Sequence, residues 1–76
     1  MAAEALVDAV EAAAERIGDH PHIGTTRPHL LRPTFRFLTL SGFPYLIIYN
    51  AERDPPEIVT IIHGARNLPP LLWNLE

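Results

Sequence analysis

The sequence predicts an α+β domain in which one N-terminal helix packs on a three-stranded antiparallel sheet. Three observations predict it. Residues 2–17 are alanine-rich and carry apolar side chains at helical spacing. Three later segments, about 34–40, 44–50 and 57–63, read as strands. The connections between those strands are too short for the crossover that a parallel pair needs. At 76 residues the chain is one small domain, 1–76. A chain this short buries only about 60% of the surface it exposes when unfolded, so its stability is marginal. It has no cysteine, so neither a disulfide nor a thiolate metal site adds to it.

The helix comes first. Leu6, Val10, Ala13 or Ala14, and Ile17 form an apolar stripe, and Glu4, Asp8, Glu11 and Glu15 form an acidic one. The acidic stripe reads as a solvated face or as a dock for a basic partner. Gly18 is the expected C-cap, and Pro21 bars continuation. Residues 19–33 hold Pro21, Gly24, Pro28 and Pro33 and read as a loop. In the first strand Phe35, Phe37 and Thr39 face one way, and Arg36, Leu38 and Leu40 the other. Ser41-Gly42 is a turn, and Pro44 opens the second strand. Tyr45 to Tyr49 is apolar at every position, the mark of a central strand covered on both faces. Asn50 to Pro56 connects it to the isoleucine-rich third strand, which Gly64 ends. Leu68 to Leu75 offers a short terminal helix. The apolar tail of Leu71, Leu72, Trp73 and Leu75 either folds back over the sheet or docks elsewhere.

Charge narrows the function. The net charge of −3 argues against a general nucleic-acid binder. The distribution is uneven: residues 20–50 carry Arg27, Arg32 and Arg36 and no acid. No apolar run reaches the ~18 residues of a membrane span. The start, Met1-Ala2-Ala3-Glu4, lacks the basic region of a secretory signal. A cytoplasmic protein is expected. His20, His22, His29 and His63 show no metal-ligand spacing, and no cofactor motif is present.

Three residues are candidates for chemistry. Arg66 lies two residues past Gly64, at a strand exit, where a guanidinium suits a phosphate or carboxylate. An ion pair with Asp19 or Glu57 is the alternative. His63 ends the third strand and serves either as an acid or base or as a hydrogen-bonded strand-end histidine. Arg36, on the first strand, forms a small basic patch with Arg32 if the two share a face.

The segment Gly42-Phe43-Pro44-Tyr45-Leu46-Ile47-Ile48-Tyr49, with Ile61-Ile62-His63-Gly64-Ala65-Arg66-Asn67-Leu68-Pro69 after an acid-containing hairpin, resembles the RelE/ParE superfamily of type II toxin–antitoxin toxins, in its ParE-like branch. The resemblance covers about residues 30–70. It implies a small antiparallel sheet packed on helices and neutralised by a cognate antitoxin. The ParE-like branch poisons DNA gyrase by protein binding. The RelE-like branch resembles ribosome-dependent messenger-RNA endoribonucleases and often carries an arginine three residues before the central-strand tyrosine. Leu46 stands there in this chain, and no tyrosine follows Arg66. A nuclease would have to draw on Arg66, His63 and Arg36. The resemblance therefore favours a gyrase-directed toxin, with the ribonuclease and an inactive form that only binds antitoxin as alternatives. The family usually begins with a strand and a helix ahead of the helix seen here. Without them a sheet edge is left open to another chain, and a homo-oligomer or partner-dependent fold is expected. Size-exclusion chromatography with light scattering at micromolar concentration checks this, and a stable monomer would contradict it.

Overall fold

The computed structural model describes residues 2–64. Arg66, the Leu68–Leu75 segment and the apolar tail lie outside the described residues. Helix α1 spans Ala2–Asp19, and strands β1 (Phe35–Thr39), β2 (Tyr45–Asn50) and β3 (Glu57–His63) form one antiparallel sheet in the order β1-β2-β3. The strand order equals the chain order, because each connection is a tight return to the neighbouring position.

The expected stripe forms the buried face of α1. Ala13 and Ile17 are fully buried, while Leu6, Ala9 and Val10 pack against the same cluster. Glu4, Asp8, Glu11 and Glu15 are all exposed. The helix does not stop at Gly18. That glycine keeps right-handed backbone, and the His20 amide donates to the Arg16 carbonyl (2.8 Å), closing another turn. Pro21 ends the helix instead. It disfavours helical backbone at the residue before it and has no N–H to give.

Gly42 sits at the third position of the turn from Leu40 to Phe43, with φ of 81°. The Phe43 amide closes that turn on the Leu40 carbonyl (3.2 Å). This is the type II geometry, in which a side chain at Gly42 would be strained. The strand after it begins at Tyr45 rather than Pro44. The Pro44 carbonyl still accepts the Gly64 amide (2.9 Å) and ties the start of β2 to the end of β3.

β2 is covered on both faces. Ile47 and Tyr49 face the helix, with Ala13, Ile17 and Leu40 around them. Leu46 and Ile48 face the other way, with Phe35, Phe37 and Leu31. Ile47, Ile48 and Tyr49 are completely shielded, and each such side chain contributes about 1.5–3 kcal/mol relative to exposure. Among the described residues no helix or further strand closes the second face. Leu31, buried in the loop, covers it, with Leu30 partly buried beside it. A bulge in β3 places one extra residue, Val59, between the pairs Ile48↔Thr60 and Tyr49↔Ile58. Ile58 therefore packs with the helix-side cluster while Val59 packs on the opposite one.

The loop is held by the core it covers. Thr25 and Phe37 exchange both backbone hydrogen bonds (2.9 and 2.8 Å), so the loop adds one rung to the outer edge of β1. Tyr49 reaches across from β2. Its hydroxyl donates to the Pro21 carbonyl (2.7 Å) and accepts from the Gly24 amide (2.9 Å). Gly24 is buried because nothing larger fits. A Cβ there would lie 2.9 Å from the Phe37 carbonyl oxygen and from the Tyr49 ring and hydroxyl. Tyr49→Phe leaves two backbone groups of the loop unpaired and should cost about 2–4 kcal/mol. Urea denaturation checks this, and an unchanged midpoint would show that the clamp is dispensable.

Candidate functional site

The sheet has one recessed end, where β1 and β3 finish and β2 begins. The hairpin turn brings Thr39 of β1 opposite Leu46 of β2, and β3 places Ile62 beyond them in the same row. Pro44 and Tyr45 precede Leu46 in the chain, and His63 and Gly64 follow Ile62. Arg27 arrives from the loop, because the Thr25–Phe37 rung and the Leu30 and Leu31 amides bonded to the Arg27 carbonyl hold that stretch against β1. These elements line a cleft of about 350 Å³.

The chemistry of the cleft is mixed. Leu46 is buried and Pro44 contributes its ring, so part of the wall is aliphatic. The Arg27 guanidinium lies 4.9 Å above the centre of the Phe37 ring. That cation–π contact fixes the side chain and contributes about 0.5–1 kcal/mol where it is partly exposed. His63 is exposed, and its ring meets Tyr45 edge-on, with centroids 5.8 Å apart and planes at 76°. Thr39 adds an exposed hydroxyl. Among the described residues the cleft thus presents one permanent cation, one imidazole, one phenol and an apolar surface. That set can hold an anionic group carried on an apolar one.

The candidates read from the sequence fall in three places. His63 and Gly64 line the cleft. Arg66 lies outside the described residues. Arg36 is elsewhere. It alternates with Phe35 and Phe37, so it stands on the helix side of β1, where Nη1 donates to the carbonyls of Gly24 (2.7 Å) and His22 (3.3 Å). Its Nε is buried without a partner. Its guanidinium pins the loop, on the helix side to which the strand period and the loop carbonyls draw it. Exposed Glu57 pairs with Arg53 at 3.7 Å, four residues away, an interaction of small energetic weight. Among the described residues no group of three histidine or acidic side chains could hold a metal ion. Sequence reasoning missed Arg27 as a cleft residue. Its nearest signal was the run of three arginines without an acid; its position depends on long-range contacts by Tyr49 and Phe37.

Residues 2–68 match the family model described as ParE toxin of type II toxin-antitoxin system, parDE. No curated protein and no solved structure matches the chain.

Arg27 serves the fold weakly, which leaves it available for a ligand. Arg27→Ala should lower stability by no more than about 1 kcal/mol. Urea denaturation measures it, and a loss as large as that of a core deletion would make Arg27 a structural residue.

Proposed function

This chain belongs to the ParE toxin family of type II toxin–antitoxin systems, and from that premise we propose that it acts by binding DNA gyrase and is neutralised by a cognate antitoxin. The position of Leu46 carries this reading. The central strand lines the cleft with a buried aliphatic residue, at the place where the ribonuclease branch often carries an arginine. Transesterification of RNA calls for a base, an acid and a clamp on the developing phosphorane charge. An aliphatic wall offers none of these and suits a protein surface instead. No helix among the described residues is long and apolar enough to cross a membrane, in keeping with a toxin whose target lies in the cytoplasm.

The second reading is a ribosome-dependent messenger-RNA endoribonuclease. One observation favours it: His63 and Arg27 share the cleft, and an imidazole beside a guanidinium is a minimal acid–base and clamp pair. Expression of the chain without antitoxin, with DNA, RNA and protein synthesis followed separately, decides between the two. The gyrase reading expects a DNA-damage response with intact messages, and inhibition of supercoiling by the purified chain. Early loss of translation with cleaved messages would overturn it. No effect on growth would leave a protein that only binds antitoxin. Arg66→Ala is expected to abolish a nuclease while leaving antitoxin binding unchanged.

A further inference from the structure

The cleft holds a cation to which no other described residue supplies a counter-charge. Arg27 is half-buried, its guanidinium is held over Phe37, and no carboxylate among the described residues pairs with it. We propose that this cleft is a subsite for one acidic side chain of a protein partner, with an apolar neighbour of that side chain resting on Leu46 and Pro44. The proposal rests on the reading of the chain as a protein-binding toxin.

Two features argue for it. The first is the cation. The Arg27 guanidinium carbon is held 4.9 Å from the centre of the Phe37 ring, and a planar guanidinium carries N–H groups paired for the two parallel hydrogen bonds that a carboxylate accepts. The second is the wall. Exposed Pro44, with Leu46 only 5% exposed beside it, lines the cleft and places apolar area near the charge. A Glu or Asp next to a Leu, Ile or Val in a partner chain satisfies both.

The same donors would accept a phosphate, so a nucleic acid is the competing occupant. Magnitudes decide against it. Affinity for a polynucleotide grows with the number of phosphates neutralised, and a strand is held by several cations in a row. Among the described residues this cleft contributes one arginine. The chain as a whole carries nine acids against six arginines, so the long-range field repels a polyanion and leaves a single carboxylate to local contacts. The volume of about 350 Å³ lies at the lower end of the ~300–1,000 Å³ typical of ligand sites. It suits a few side chains better than a run of nucleotides.

The test uses the full chain and its amide NMR spectrum. Three probes are titrated: a short peptide of alternating leucine and glutamate, the same peptide with glutamine for glutamate, and a short single-stranded oligouridine. The glutamate peptide should shift the amides of Thr39, Leu46, His63 and Gly64, and bind at least about tenfold more tightly than the glutamine peptide, as a charge-assisted pair requires. Arg27→Gln should remove that preference, and Arg27→Lys should retain part of it. Thr39→Glu supplies an internal carboxylate at the cleft and should weaken the glutamate peptide without touching the core, which covers the case in which Arg27→Gln fails to fold. Equal binding of the two peptides, shifts away from the cleft, or tighter binding of oligouridine at these amides would each overturn the proposal. Gyrase inhibition is no part of this readout. A chain that fails to inhibit gyrase but binds the glutamate peptide at the cleft sinks the target and keeps the subsite; the reverse result sinks the subsite alone.

Discussion

The loop between α1 and β1 depends on the Tyr49 hydroxyl. It sits on the central strand, fully buried, and makes two short hydrogen bonds to backbone groups of the loop after α1. A buried phenol without partners would be destabilising by some ~1–3 kcal/mol. The loop supplies the partners, and in return its Pro21 carbonyl and Gly24 amide are satisfied away from water. Gly24 makes the approach possible, since its missing side chain leaves room for both the Tyr49 ring and the Phe37 carbonyl. Arg36 adds further donors to the same stretch. A segment without helix or strand is thereby made part of the core.

That constraint solves a size problem. A sheet this small has two apolar faces but only one helix among the described residues to cover them. The helix-side face is covered by Ala13 and Ile17. On the other face Leu31 takes the place of a second layer. Once the loop is fixed at Thr25 and Gly24, Arg27 falls over Phe37 and Leu31 over the sheet, within a few residues of each other. One local arrangement closes the core and equips the cleft, so the site is a by-product of how the fold is completed.

Much of the fold was legible because the periodicities are strong. Leu6, Val10, Ala13 and Ile17 repeat at the helical period, and those are the residues that pack inward. Tyr45 to Tyr49 is apolar throughout, and both of its faces are covered. The end of α1 was less legible, because Gly18 and Pro21 both signal a stop and only the hydrogen bond from His20 to Arg16 shows that Pro21 prevails. The β3 bulge has no sequence signature in Glu57 to His63; it appears only when the register against β2 is known.

The site divides in the same way. His63 and Gly64 were visible as a strand end, since a β-branched run that meets a glycine ends there by local chemistry alone. Arg27 and Arg36 look alike in the sequence, as arginines in an acid-free stretch, yet one lines the cleft and the other is committed to loop carbonyls. Their separation rests on contacts made ten or more residues away, by Phe37, Tyr49 and the loop backbone. By itself, then, the sequence determined the helix, the three strands and their antiparallel order, because these follow from short-range periodicity and turn chemistry, while the resemblance to a toxin family rests on the residues of 42–49 and 61–69. Only the tertiary structure decided which face the loop covers and that Arg27 rather than Arg36 lines the cleft, because hydrogen bonds that link distant segments leave no local pattern.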